Sequence, residues 1–249
     1  MTLHVHEVGN GKKRGLWLHG WLGSGKDGEA LQKRRGTDTR LLCPDLPGHG
    51  QSPIAGATLF ETLDSISELA GDCEWAGGYS MGGRLLLMAA ARNPDAFQTL
   101  VIESASLGLS DATERKNRRD LDHQRAEELK SQSLEGFCDS WYQMEMWGGF
   151  QGFPNREGDV SALAEALELF SVGWQPDLRT WIKTTTCRIL WLAGARDPKY
   201  AEQAAWVQKR TRHQVEILNT GHNVHMQEPE EWRDVVTPFL YRTPFATDQ

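Results

Sequence analysis

The stretch that decides the fold is Gly77–Pro94, "GGYSMGGRLLLMAAARNP". A serine stands among glycines, and a run of good helix formers follows until Asn93-Pro94 stops it. Just upstream, "CEWAGGYS" reads as a brief strand. Gly78-Tyr79-Ser80-Met81-Gly82 therefore fits G-x-S-x-G at a strand-to-helix turn. So sharp a turn needs small residues, because larger side chains would meet neighbouring backbone. The helix that follows, read over Arg84–Arg92, aims its amide-rich end at the serine and favours a developing anion there. Ser80 is the candidate reactive hydroxyl.

On either side the chain alternates strands and helices. Leu16–Leu18 in "RGLWLHGWLG" and Leu41–Cys43 in "TRLLCPDLPGHGQSP" are apolar runs that end in glycine- and proline-rich loops. Leu59, Leu63, Ile66 and Leu69 recur at helical spacing across Thr58–Ala70. Leu100–Ile102 is another strand. From about 106 to 183 strand patterns vanish, and charged helical stretches appear with Trp141, Trp147, Trp174 and Trp181. Strands return at Arg188–Ala193 and Val215–Leu218, and a helix over Pro229–Leu240 closes the chain. This order predicts one α/β domain over 1–249: a mostly parallel central sheet with helices on both faces, interrupted by a helical cap insertion at about 106–183. Ligands of such sheets bind beyond the carboxyl ends of the strands, where every loop of interest falls.

Composition narrows the function. With 39% hydrophobic and 24% charged residues the chain is neither disordered nor fibrous. A formal net charge of −7 argues against nucleic acid or an anionic membrane as partner, since both want a basic face. Cys43, Cys73, Cys138 and Cys187 are scattered and form no CxxC pair, so reduced thiols are expected. The N-terminus lacks an apolar leader, and the longest apolar run, Leu85–Ala91, is too short to span a bilayer. A cytoplasmic protein with no obligate protein partner is expected.

A serine hydroxyl needs a histidine to take its proton and a carboxylate to orient that histidine. "WLAGARDP" supplies Asp197 and "NTGHNVH" supplies His222, each just past a strand and in the order serine, acid, histidine that this architecture uses. Taken alone, Asp197 could be a helix N-cap ahead of Pro198 and His222 a loop histidine; all three together point to catalysis. A developing oxyanion needs donors, for which the backbone amides of Met81 and, from "HGWLG", Trp21 are the candidates. His19, Asp45 and His49 are expected to be structural. No metal is expected, because HNVH lacks the HExxH arrangement; "GSGKDG" lacks phosphate-loop spacing.

These motifs resemble the α/β-hydrolase superfamily over almost the whole chain. A narrower resemblance is carried by "GYSMGGR", "WYQ" at 141–143, "QPDL" at 175–178 and "GHNVHMQEP". This set is similar to the 2-succinyl-6-hydroxy-2,4-cyclohexadiene-1-carboxylate (SHCHC) synthases of menaquinone and phylloquinone biosynthesis. The resemblance implies a carbon–oxygen lyase that uses no cofactor and eliminates pyruvate from a small tricarboxylate after Ser80 removes a proton. It implies Arg84, Arg118 and Arg156 as holders of substrate carboxylates, with Arg115 and Arg119 as rivals of Arg118 in the same helix, and Tyr79 and Trp141 as neighbours of the ring. Arginine suits that task because its planar fork matches a carboxylate. Arg84 falls one helical turn past Ser80. Two alternatives remain at this stage: a small-ester or carbon–carbon bond hydrolase using Ser80 as nucleophile, and a non-catalytic binding protein, which the complete set of three residues argues against.

Overall fold

The structure, a computed structural model, describes residues 1–29, 31 and 39–241. Seven strands form one sheet: β1 (Val5–Val8), β2 (Lys13–Leu18), β3 (Thr39–Pro44), β4 (Trp75–Tyr79), β5 (Thr99–Glu103), β6 (Arg188–Gly194) and β7 (Gln214–Leu218). Their order across the sheet is β1-β3-β2-β4-β5-β6-β7. Every pair is parallel except the edge pair β1–β3. β4, which delivers Ser80, and β5 thus lie at the centre of the sheet.

The period of two along the strands divides the core into two layers. Leu100, Ile102, Ile189, Trp191 and Ala193 face one side, where helices α1 (Leu59–Gly71) and α2 (Met81–Arg92) pack. Val101, Leu190 and Leu192 face the other, against Trp232, Val236 and Phe239. The expected sheet with helices on both faces is what these two layers make. α2 begins at Met81, three residues before the apolar run suggests, because Gly82 and Gly83 continue the helix rather than break it.

Between β5 and β6 lie α3 (Ala112–Lys130), α4 (Leu134–Trp141), α5 (Val160–Leu169) and the short α6 (Trp181–Thr184). The side chains of Asp111, Ser133 and Asp159 each accept from a backbone amide three residues on, which sets where α3, α4 and α5 start. α3 carries few apolar residues, and the three it buries, Asp122, Ala126 and Leu129, face the other helices. Ala126, Leu129, Phe137, Leu163 and Leu167 join Leu22 in a third apolar cluster, so this helical segment packs on the loop after β2. The chain then forms α7 (Pro198–Arg210), α8 (Val224–Gln227) and α9 (Pro229–Tyr241).

The loops after β2 and β3 are held by buried histidines, as expected. His19 Nδ1–H donates to the Gly20 carbonyl at 2.7 Å, while Nε2 accepts from the Leu46 amide at 2.9 Å. Both ring nitrogens are used as in the neutral form, so a second proton would set N–H against N–H. The His49 ring lies 4.9 Å from it, and its Nδ1 bonds the Pro47 carbonyl. Asp45 accepts from the amides of Gly25 and Gln51 and from His6. Cys43, Cys73, Cys138 and Cys187 are free thiols.

Burial lowers the pKa of His19, and burial followed by the nearby His19 lowers that of His49 to about 3. The unfolded chain therefore takes up protons that the native state refuses below the usual histidine value of about 6.5. Stability should fall as pH drops below 6.5, by up to about 1.4 kcal/mol per pH unit for each such histidine, and for His49 this continues toward pH 3. Urea midpoints measured between pH 7 and pH 5 should show this decline, and His49→Asn should flatten it. Equal slopes in the two proteins would contradict the assignment.

Candidate active site

The site is built on the turn between β4 and α2. Ser80 has φ 51° and ψ −111°, a strained conformation for a residue with a side chain. It can be held there because the backbone around it is bare. A Cβ on Gly78 would come within 2.7 Å of the Gly82 carbonyl carbon, and one on Gly82 within 2.5 Å of the Leu18 and His19 carbonyl oxygens. The Ser80 amide donates to the Glu103 carbonyl at 2.9 Å, tying the turn to β5.

Three expected residues meet in line. Ser80 Oγ lies 2.9 Å from His222 Nε2, and His222 Nδ1 lies 2.6 Å from Asp197 Oδ2. His222 and Asp197 are buried, and Ser80 is half-buried, so the hydroxyl is the accessible end of the line. Asp197 does stand at the N-cap position of α7, but its side chain makes no capping bond and turns to the histidine instead. The imidazole is enclosed by the rings of Tyr200, Tyr79 and Trp147 at centroid distances of 4.6, 5.4 and 5.4 Å. Its own amide donates to the Met146 carbonyl, so the histidine loop is pinned by the helical segment between β5 and β6.

The two candidate oxyanion donors, the amides of Met81 and Trp21, belong to segments that meet at Ser80. Met81 is the first residue of α2, and its amide has no carbonyl four residues back to bond. The turn Gly20–Gly23, closed by the Gly23 amide on the Gly20 carbonyl, lies directly over Ser80: a Cβ on Gly20 would stand 3.4 Å from that of Ser80. Trp21 follows, anchored by its indole N–H to the Leu163 carbonyl.

The arginines fall into two groups. Arg84 is buried and donates through Nη2 to the Phe170 carbonyl at 2.8 Å; its Nη1 has no partner among the described residues. Among the described residues no carboxylate pairs with it. Burial, then Arg118, lowers its pKa to about 10, still cationic at neutral pH. Arg118 holds both oxygens of fully buried Asp122 through Nε, at 2.9 and 2.8 Å, and Asp122 also faces Arg125 at 3.6 Å. Ser171, next to Phe170, donates to the same carboxylate. Two guanidiniums thus hold a single acid, with Arg84 close enough to feel both Arg118 and Asp122 electrostatically. Arg119 lies elsewhere, on the Gly173 carbonyl and the Trp174 ring.

Arg156 stands apart, paired with both oxygens of Asp27 at 3.0 Å and with the Tyr142 hydroxyl. Burial opposes its charge, but Asp27 and Tyr142 outweigh that and raise its pKa. It lines a cavity of about 840 Å³ between the loops after β2 and β3 and residues 152–158, which does not include Ser80. Tyr79 is buried against His222 and His225, and burial, then Glu103, raises its phenol pKa. Trp141 stacks with Phe137 and meets Trp21 edge-on, with Arg125 over its face.

Two participants escaped the sequence reading. In the sequence, Trp147 is one of several tryptophans in a charged helical segment. Glu103, the last residue of an apolar strand, is completely buried. A carboxylate closing the run "LVIE" was the one available signal.

Residues 16–235 match the alpha/beta hydrolase family. The chain belongs to the alpha/beta hydrolase family. Within this family it resembles the 2-succinyl-6-hydroxy-2,4-cyclohexadiene-1-carboxylate synthase of Yersinia enterocolitica, with 32% identity over 244 residues, 92% of this chain and 87% of that protein. Among solved structures of the fold, MenH from S. aureus superposes with a TM-score of 0.86 at 23% identity, covering 96% of this chain and 98% of that one. A carboxylesterase structure from Nitrososphaera gargenis does so with 0.75 at 16% identity, covering 95% and 93%. The alpha/beta hydrolase fold therefore accommodates enzymes of different names, and the site must distinguish them. No helix among the described residues is long and apolar enough to cross a membrane.

If close packing holds the Ser80 turn, Gly82→Ala should destabilise the protein by about 1–3 kcal/mol, read as a lower denaturant midpoint. Gly71→Ala, where a Cβ meets nothing within 4 Å, serves as the control and should cost nothing. Equal effects would contradict this account of the turn.

Proposed function

We propose that this enzyme is a carbon–oxygen lyase that eliminates pyruvate from 2-succinyl-5-enolpyruvyl-6-hydroxy-3-cyclohexene-1-carboxylate, leaving 2-succinyl-6-hydroxy-2,4-cyclohexadiene-1-carboxylate, a step of menaquinone or phylloquinone biosynthesis. The observation that carries this reading is Arg84: a buried guanidinium without a carboxylate partner, one helical turn from Ser80. Burying an unpaired charge is costly, and an anionic substrate offsets that cost when it binds. An esterase for neutral substrates has no use for it. The names of the Yersinia relatives support the same chemistry.

In this reading Ser80, its own proton passed to His222 and the imidazolium balanced by Asp197, acts as base. It takes the proton from the ring carbon beside the succinyl ketone. The electron pair of that C–H bond moves onto the ketone oxygen, where the amides of Met81 and Trp21 stabilise it; each such donor contributes roughly 2.7–4 kcal/mol in comparable sites. The charge then returns through the ring. The double bond shifts, the carbon–oxygen bond breaks, and pyruvate leaves as its enolate, which takes up the proton held on His222 and so restores the starting state of the site. No water and no redox change enter the balance. Arg84, Arg118 and Arg156 face the three substrate carboxylates, Tyr79 and Trp141 flank the ring, and the helical segment 106–183 covers the site as a cap. Asp122 and Asp27 hold Arg118 and Arg156 in place, while Arg84 is free to receive its carboxylate.

Incubation with the enolpyruvyl cyclohexene tricarboxylate should release one pyruvate per turnover, and Ser80→Ala should stop it. Arg84→Ala should lower kcat/KM by about 30-fold or more, the equivalent of roughly 2 kcal/mol or more for one partner of a buried charge pair. Turnover of a neutral p-nitrophenyl ester should change little in that variant. No pyruvate, with fast ester turnover instead, would overturn the lyase reading in favour of a hydrolase.

A further inference from the structure

Glu103 ends β5, the strand between β4, which delivers Ser80, and β6, which leads to Asp197. It is completely buried, and no lysine or arginine pairs with it among the described residues. Four donors converge on its side chain. Oε1 accepts from the amides of Val224 and His225 at 2.8 and 3.2 Å and from His225 Nδ1 at 2.8 Å; Oε2 accepts from the Trp232 indole at 2.9 Å. Its main-chain carbonyl accepts from the Ser80 amide. One residue therefore grips the serine turn through its backbone and the histidine loop, two residues past His222, through its carboxylate. His225 is locked in turn between Trp17 and Tyr79, at 5.3 and 5.2 Å.

From this geometry we infer that Glu103 is a positioning residue: its carboxylate fixes the Val224–His225 backbone, and so holds the His222 imidazole in line between Ser80 and Asp197. The inference rests on the triad reading given under Proposed function. Both oxygens are required. Displacing the imidazole by even a fraction of an ångström lengthens the bond to Ser80, and such misplacements cost rate far more than affinity.

The test is Glu103→Gln. An amide has one oxygen; if it serves the Val224 and His225 amides, its NH2 confronts the Trp232 indole N–H. Three readouts are taken: pyruvate release, labelling of Ser80 by a fluorophosphonate (fluoride leaves phosphorus as the serine oxygen attaches, and His222 takes the proton), and the downfield NMR resonance of the His222 Nδ1 proton. The variant should lose about tenfold or more in kcat, with KM near the wild-type value, since the arginines are untouched. Labelling should slow by a similar factor and the resonance should broaden. Adding Trp232→Phe removes the opposed donor and should recover much of the lost kcat, although trimming a core tryptophan lowers the melting temperature. Activity that rises while stability falls is not the behaviour of a mere structural prop.

Unchanged kcat and labelling in Glu103→Gln, or a loss that Trp232→Phe leaves untouched, would overturn the inference. Should Glu103→Gln not fold, His225→Gln keeps a donor to Glu103 and should retain activity, whereas His225→Leu should lose it; equal activities would overturn the inference as well. Ser80 labelling also separates the two proposals. A wild-type enzyme that labels rapidly but releases no pyruvate contradicts the lyase reading and leaves the role of Glu103 open to the same test.

Discussion

The site depends on how closely the backbone of α2 approaches β2 and β4. Gly78 and Gly82 touch each other across the turn, and Gly82 rests on the carbonyls of Leu18 and His19. Only at that distance can the chain leave β4, place Ser80 at φ 51° and enter a helix at the next residue. The strain at such a position is of the order of 1–3 kcal/mol, sustained by the core packed around it. The same approach brings the start of α2 and the turn Gly20–Gly23 together beside Ser80. Geometry that permits the serine thereby also supplies its candidate oxyanion donors.

Burial then separates the roles of the charged groups. Asp197 faces one partner, His222, with the imidazole walled by Tyr79, Trp147 and Tyr200. Excluding water there strengthens the hydrogen-bonded line and leaves the serine end open. On the other side of Ser80 the balance is reversed. A chain of net charge −7 sets Arg118 and Arg125 on one buried aspartate, and leaves the neighbouring Arg84 with only a backbone carbonyl among the described residues. On the lyase reading, a polyanionic substrate meets this local surplus and not the net charge.

Much of this was legible in the sequence, because the central strands are continuous apolar runs and the turn motif has few structural solutions. Strands β2 to β7 and the order serine, acid, histidine could be read directly. β1 could not: "VHEV" is a short, half-exposed edge strand whose pairing with β3 is antiparallel. α2 starts earlier than its apolar pattern because Gly82 and Gly83 serve packing rather than helix termination. The pairing of Arg118 with Asp122 follows a legible four-residue helical spacing. That of Arg156 with Asp27 links residues 129 apart and has no local signature. Glu103 shows the same limit, since its four donors come from α8 and α9, which only the fold brings against β5.

The central claim is that the unpartnered edge of Arg84 receives a substrate carboxylate while the substrate ketone faces the amides of Met81 and Trp21. A crystal structure of the Ser80→Ala protein with the enolpyruvyl cyclohexene tricarboxylate bound tests this most directly. The account predicts a carboxylate within hydrogen-bond distance of Arg84 Nη1 and the succinyl ketone oxygen between the two amides. A ligand that leaves Arg84 Nη1 unpaired, or turns its ketone away from those amides, would contradict it.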